Sequence, residues 1–315
     1  MKLVLLPERA NWQQAHQEIG FDYYNLPSWD VSMYWSEGVA YEFSLKQIEQ
    51  LEDASNELHQ MCLEVAGDMI QRGHYPEYFQ IPPAAIPLIE HSWKNQAPML
   101  YGRFDFAYDG QNIKMLEYNA DTPTGLLEAS VAQWHWIEQV ENIANRDQFN
   151  SIHEKLIERW KQLYPARSRV HFAACQEAGR EDWGNLEYLM DTAFQAGLNV
   201  SELSMENIGW NGTAFVDLHQ QEIQHLFKLY PWEWIWEENF SQFLKPETEW
   251  IEPCWKMLLS NKALLIELWK RFPNHPLLLE THAYDAHAHY AGKWVRKHIL
   301  ARESANIHIL QNNVD

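Results

Sequence analysis

Cysteine is scarce in this chain: Cys62, Cys175 and Cys254 are the three among 315 residues. They are odd in number, widely separated and form no Cys-x-x-Cys pair, so neither a zinc ribbon nor a disulfide framework is indicated. Reduced, mostly buried thiols in a cytoplasmic protein account for them most simply. Long apolar runs are missing too. No stretch approaches the roughly 18 apolar residues that a membrane helix needs. The opening run Met1-Lys2-Leu3-Val4-Leu5-Leu6-Pro7 is too short to be the apolar part of a signal peptide. There is no Gly-x-Gly-x-x-Gly fingerprint to support a dinucleotide site and no Gly-x-Ser-x-Gly elbow to support a hydrolase. Positive charge is also in short supply: 24 Lys and Arg face 44 Asp and Glu, a net charge of −20. That balance argues against non-specific nucleic-acid binding. It would steer a cationic substrate such as a polyamine, although an acidic surface is more often only a solubility feature.

What is present is a globular chain. Hydrophobic residues make up 46% and charged residues 22%, enough for one large domain or two fused lobes around a sizeable core. Sixteen Trp is a high count. Those of the run Trp232, Trp234 and Trp236 are expected in the core or in a pocket wall. The first hundred residues read as helix-rich. Leu51, Leu58, Cys62, Val65 and Met69 recur near a 3.6-residue period and predict a helix over Leu45–Arg72. Thr122-Pro123-Thr124 can cap a helix from about Gly125 to Asn145, and a second helix is expected from about Asp147 to Tyr164. After these come an apolar strand at Val170–Ala174, a helix at Asn185–Gln195 closed by Gly197 as a left-handed cap, and a strand at Asn199–Leu203. The Asn211-Gly212 turn follows, then strands at Thr213–Asp217 and Ile223–Tyr230. This order predicts a small Rossmann-like α/β subdomain. Gly179-Arg180-Glu181-Asp182 reads as a polar loop ahead of its helix.

Two short runs carry most of the chemistry: Arg103-Phe104-Asp105 and Glu117-Tyr118-Asn119. Both read as strands, over Arg103–Tyr108 and Ile113–Asn119, and Asp109-Gly110 between them is a strong hairpin signal. Phe104, Phe106 and Tyr108 fall on one side of the first strand, Arg103 and Asp105 on the other. In the second, Met115, Glu117 and Asn119 share a face. A three-residue loop over Gly110–Asn112 would pair Asp109 with Ile113, Asp105 with Glu117 and Arg103 with Asn119. Two carboxylates then stand about 5 Å apart at Cβ, an unfavourable pair unless a cation lies between them. Carboxylate and amide oxygens suit magnesium, and an Arg beside them suits phosphate. An exposed polar sheet face with an incidental charge cluster accounts for the same spacing equally well.

The run Arg103-Phe104-Asp105 followed by Leu116-Glu117-Tyr118-Asn119-Ala120-Asp121-Thr122 resembles the signature of the glutathionylspermidine synthase family, in its synthetase-only branch. Lys228-Leu229-Tyr230-Pro231-Trp232-Glu233, Ser260-Asn261-Lys262-Ala263-Leu264-Leu265 and Phe272-Pro273-Asn274-His275-Pro276 extend the likeness over nearly the whole chain. The resemblance implies an α/β (α+β) ATP-grasp-like ligase. Such an enzyme activates a carboxylate as an acyl-phosphate for attack by an amine, with ATP and magnesium as cofactors. It implies Asp105, Glu117 and Asn119 as magnesium ligands and Arg103 as the catalytic contact to the transferring phosphate. Lys297 would reach the ATP phosphates, Thr122 would lie near a thiol-peptide carboxylate substrate, and Glu233 would line the substrate pocket. On this reading residues 1–165 hold the helical part with the magnesium-site hairpin. Residues 166–230 form the Rossmann-like subdomain, and 231–315 a partial nucleotide-binding part.

Two departures stand out. The family's Gly-Arg-Glu-Gly loop after the lysine is replaced by Ala301-Arg302-Glu303-Ser304, without the glycines that allow close backbone approach to phosphate. The chain also stops at Asp315, before a second ATP lysine expected further on, so the C-terminal part of the ATP-grasp is expected to be missing. His298–Asp315 should then be loosely held or expose Ile299, Leu300, Ile307 and Ile309. These departures keep open a non-catalytic member that binds a peptide or polyamine without turnover. Lys262 reads more simply as a surface helix lysine than as a ligand contact. His282, His287 and His289 near Asp285 read as an exposed polar turn rather than a zinc site.

Overall fold

The apolar stripe of Leu45–Arg72 forms one helix in the computed structural model, which describes residues 1–26, 33–143, 146–285, 291–301 and 306–311. In chain order the elements are β1 (Lys2–Leu5), α1 (Trp12–Glu18), β2 (Val39–Glu42), α2 (Leu45–Arg72), α3 (Ile86–Lys94), β3 (Arg103–Tyr108) and β4 (Ile113–Asn119). A π-helical turn (Glu128–Ala132) leads into α4 (Gln133–Gln139), then α5 (Ile152–Leu163), β5 (Arg169–Ala174), α6 (Arg180–Gln195), β6 (Asn199–Ser204), β7 (Gly209–Trp210) and β8 (Phe215–Val216). The chain continues with β9 (His225–Leu229), α7 (Trp232–Ile235), β10 (Glu249–Ile251), α8 (Met257–Ser260), α9 (Leu264–Arg271), β11 (Lys293–Arg296) and β12 (His308–Gln311). Among the described residues no helix is long and apolar enough to cross a membrane.

The chain divides into two units that are not contiguous in sequence. The first takes Met1–Ile48, Pro98–Tyr101 and Thr122–Glu252; the second takes Glu49–Ala97, Gly102–Asp121 and Pro253–Asp315.

The first unit holds the expected Rossmann-like sheet. Its strand order is β10-β9-β5-β6, and all neighbours are parallel. Strands buried on both faces need continuous apolar runs, and Val170, Phe172, Ala173 and Ala174 of β5 are fully buried. Phe172 packs against Phe227 of β9 and Trp160 of α5, with ring centroids 5.8 and 5.6 Å apart. β10 was not read from sequence: at three residues it is too short for a periodicity signal. Helix α6 begins at Arg180, not Asn185. The supposed loop is its start, with Gly179 at the N-cap and Glu181 and Asp182 in the first turn, where carboxylates meet the positive end of the helix dipole. Gly197 adopts φ +90°, as its capping role requires. The helix expected to reach Asn145 ends at Gln139. Val140 is extended and Asn142 is left-handed at φ 65°; Asn145 itself lies outside the described residues. Trp232 is fully buried, but Trp234 is 46% exposed, contrary to expectation. β1 and β2, an antiparallel pair, interrupt the stretch read as purely helix-rich.

In the second unit α2 buries Leu58, Met61, Cys62, Val65, Ala66 and Met69. Gly67 admits the ring of Trp93, which meets Trp255 edge-on at 4.9 Å. β11 and β12 form a two-stranded antiparallel ribbon. Its outward pair, Val295 and Ile309, is 55% and 67% exposed, and Ile307 is exposed as well. Ile299 and Leu300 are half-buried rather than exposed.

Candidate active site

The ladder between β3 and β4 in the second unit pairs Arg103 with Asn119, Phe104 with Tyr118 and Asp105 with Glu117. The four polar residues therefore share one face, as their parity predicted. The route to that register differs from the expected one. Tyr108, not Asp109, pairs with Ile113. Asp109 instead closes the turn: its carboxylate accepts the N–H groups of Gln111 and Asn112 at 2.9 and 2.7 Å and the Asn112 side-chain amide at 2.9 Å. The Asn112 amide first, then these backbone donors, pull the Asp109 carboxyl down to about 2.

That turn sets Phe106 opposite Met115, and a bulge at Leu116 restores the pairing of Asp105 with Glu117. Met115 consequently lies on the face of Phe106 and Tyr118 and is fully buried, not beside Glu117 as expected.

The opposite face is an aromatic anchor. Tyr118 stacks on Phe104 at 3.9 Å, and its hydroxyl lies 3.1 Å from Nδ1 of His59 on α2. A Cβ at Gly102 would meet the Tyr118 ring at 2.7 Å, so any larger residue there must displace that ring. Burial, reinforced by the Lys256 ammonium, holds the His59 imidazole below its ordinary range and keeps it neutral. The carbonyl of Leu277 accepts the Met115 N–H at 2.9 Å, and Ser260 Oγ accepts the N–H groups of Ala120 and Asp121, both at 2.8 Å. Both ends of β4 are thereby fixed.

On the polar face each carboxylate has its own cation. Arg103 Nε donates to Asp105 Oδ1 at 2.9 Å, and a guanidinium Nη donates to Oδ2 at 3.4 Å. Lys262 Nζ lies 3.2 Å from Glu117 Oε2 and donates to the Ala301 carbonyl at 2.6 Å. Lys297 Nζ reaches the carbonyl of Leu116 at 3.5 Å, the residue that the bulge leaves outside the ladder. Two lysines therefore converge on β4. Sequence reading found Lys297 but set Lys262 aside as a surface residue. The Lys262 side chain is only 13% exposed, and the cue to its position was its inclusion in the Ser260–Leu265 run.

Among the described residues no three His, Cys, Asp or Glu side chains are placed to hold a metal. The candidate set here is two carboxylates and the amide of Asn119. These three hard oxygen donors, half-buried on adjacent strands, fit magnesium chemistry. Of the histidine group, His282 pairs with Glu280 at 2.8 Å, while His287 and His289 lie outside the described residues, as do Arg302, Glu303 and Ser304.

Thr122 and Glu233 belong to the first unit. Thr122 is buried, two residues before Thr124, whose hydroxyl donates to Glu181 Oε1 at 2.9 Å at the start of α6. The Leu126 N–H donates to Asn185 Oδ1 of the same helix at 3.0 Å. Glu233 lies in the first turn of α7, just after β9. α6 follows β5 and α7 follows β9, so both candidates belong to the carboxyl edge of the sheet. The strand order reverses between β5 and β9, where open α/β sheets bind ligands. Glu181, which accepts the Thr124 bond at this edge, lies in the helix start that was read from sequence as a loop.

A family model described as glutathionylspermidine synthase preATP-grasp matches residues 4–315. A protein of Haemophilus influenzae named "Putative acid--amine ligase" is 52% identical over 98% of this chain and 79% of its own length. Trypanothione synthetase of Crithidia fasciculata is 27% identical over 80% of this chain and 43% of its own. The bifunctional glutathionylspermidine synthetase/amidase of Escherichia coli is 26% identical over 74% and 42%. The chain thus spans less than half the length of the latter two. In structure it is similar to a glutathione synthetase-like effector from Globodera pallida, with a TM-score of 0.52 over 83% of this chain and 67% of that one at 9% identity, a likeness of fold alone. The chain belongs to the glutathionylspermidine synthase preATP-grasp family.

Proposed function

We propose that this chain is an ATP-dependent carboxylate–amine ligase acting in the cytoplasm on a glutathione-like peptide carboxylate and a polyamine-like amine. The observation that carries the reading is the single polar face of β3 and β4. It gathers Asp105, Glu117, Asn119 and Arg103, with Lys262 and Lys297 directed at the same strand.

Asp105, Glu117 and Asn119 would hold magnesium, which when bound supplies charge neutralisation to the nucleotide phosphates. The Arg103 guanidinium, a rigid fork of donors, would hold the oxygens of the γ-phosphoryl group as it passes to the substrate carboxylate. Lys297 and Lys262 would bear on the remaining phosphate oxygens. The carboxylate oxygen forms a bond to the γ-phosphorus as the bond to ADP breaks. The neutral amine nitrogen then attacks the acyl carbon, the bond to the phosphate oxygen breaks as inorganic phosphate leaves, and the nitrogen gives up one proton to solvent. Thr122 and Glu233, at the carboxyl edge of the sheet, would position the peptide and line the pocket. The names of the relatives, trypanothione synthetase and glutathionylspermidine synthetase/amidase, support these substrate classes.

The test is ADP formation by the purified chain with magnesium, across a panel of thiol peptides and polyamines, with product mass determined. ADP formation that requires both an acid and an amine, with an amide product, is expected. ATP consumption indifferent to both substrates would overturn the reading.

A further inference from the structure

The two carboxylates that face each other across β3 and β4 are each covered by a cation of the protein itself. Asp105 carries Arg103, and Glu117 carries Lys262. A divalent cation and an ammonium group want the same oxygens. A cation already 3.2 Å from Glu117 Oε2 cancels much of the negative potential that would draw a metal there. Lys262 is also tethered independently of Glu117. Its ammonium donates to the Ala301 carbonyl at 2.6 Å, and its backbone N–H donates to the Ile299 carbonyl at 3.0 Å. Losing Glu117 would leave the ammonium in place with one partner fewer. Lys297 differs, because it rests on the Leu116 carbonyl and not on a carboxylate.

We infer that Lys262 is a built-in competitor of the metal at Glu117, so that metal and nucleotide bind by an exchange of ion pairs. The metal takes the carboxylate, and the displaced ammonium turns to the phosphate that arrives with it. Arg103 makes the same exchange at Asp105. Either ligand alone leaves an unbalanced charge at the site, so each strengthens the other, and by linkage the coupling is reciprocal. The inference rests on the proposed magnesium–nucleotide reading.

Three titrations of the whole chain test it without turnover: Mn2+ alone, followed by electron paramagnetic resonance; a non-hydrolysable ATP analogue alone in chelator, by calorimetry; and the two together. Wild type should bind the pair at least tenfold more tightly than the separate affinities predict. Lys262→Met should bind Mn2+ alone about three- to tenfold more tightly, lose nucleotide affinity, and lose most of the coupling. Glu117→Gln, the opposite half of the pair, should bind nucleotide in chelator about threefold more tightly than wild type. Lys297→Met should lose nucleotide affinity without gaining metal affinity, which separates a specific ion pair from a general change in charge. If Lys262→Met is poorly folded by circular dichroism, Lys262→Gln serves in its place. Coupled binding in wild type with unchanged or weaker Mn2+ binding in the Lys262 variants would overturn the exchange and leave the site reading standing. No binding of metal with nucleotide to wild type would overturn both.

Discussion

Asp105 stands directly across from Glu117 in an antiparallel ladder, and the pairing depends on one bulged residue, Leu116. Like charges placed so destabilise a sheet unless a cation balances them. Two cations balance them, Arg103 of β3 and Lys262 from the segment between α8 and α9.

Magnesium with ATP should raise the thermal midpoint of the wild-type chain. At a hundred times Kd the linkage is worth about 2.7 kcal/mol. Asp105→Asn and Glu117→Gln should each remove most of that rise. Differential scanning fluorimetry decides it, and an equal rise in the variants would dissociate these carboxylates from nucleotide binding.

Gly102→Ala should be destabilising by about 1–3 kcal/mol, because the new methyl must displace a ring that is stacked on Phe104 and held by His59. Urea unfolding should show the loss, and magnesium–nucleotide affinity should fall with it, since Tyr118 sits between Glu117 and Asn119. A variant as stable as wild type would mean that the ring has somewhere else to go.

The neutral His59 makes a pH prediction. Its folded pKa is depressed, so below about 6.5 the unfolded chain takes up the proton more readily than the folded one. Its contribution to stability is therefore complete above that pH and is lost as pH falls through it. His59→Asn should flatten the dependence of the unfolding midpoint between about pH 5 and 7. The same slope in variant and wild type would assign the dependence to another group.

A second pH dependence lies lower. Glu37 is buried in the first unit. Burial works to raise its carboxyl, but the bonds from His16, Arg9 and Trp35 outweigh this and bring it to about 2. Arg9 Nε donates to it at 2.6 Å and Trp35 Nε1 at 2.7 Å. The stabilisation, on the order of 3 kcal/mol, is present above about pH 4.5 and lost as pH falls towards 2. Glu37→Gln should unfold at lower urea at neutral pH, because the buried Arg9 loses its partner, and should converge on wild type in acid.

The hairpin was legible in the sequence because period-two alternation fixes which residues share a face. Arg103, Asp105, Glu117 and Asn119 needed only parity and a turn signal. The helix over Leu45–Arg72 was legible for the same reason at a period of 3.6 residues. The exact loop was not: Asp109 uses its side chain to cap the turn, which costs the ladder one residue, and the bulge at Leu116 takes it up. Nothing in local pattern distinguishes that solution from a shorter loop. The start of α6 was misread because Gly-Arg-Glu-Asp has loop composition. Its meaning is set by Thr124, which reaches Glu181 from 57 residues away.

By itself the sequence determined the two strands and their polar face, the long helix, the parallel βαβ unit and the family, since all of these rest on short-range periodicity or on residue identity. The tertiary structure decided which cations answer the carboxylates. Lys262 meets Glu117 across 145 positions of chain, and Lys297 meets Leu116 across 181. Folding also split the chain into two units by passing it back and forth at residues 48, 97, 101, 121 and 252. Contacts of that range depend on how helices and sheets pack, and a lysine destined for a half-buried carboxylate carries the same local signal as one destined for water.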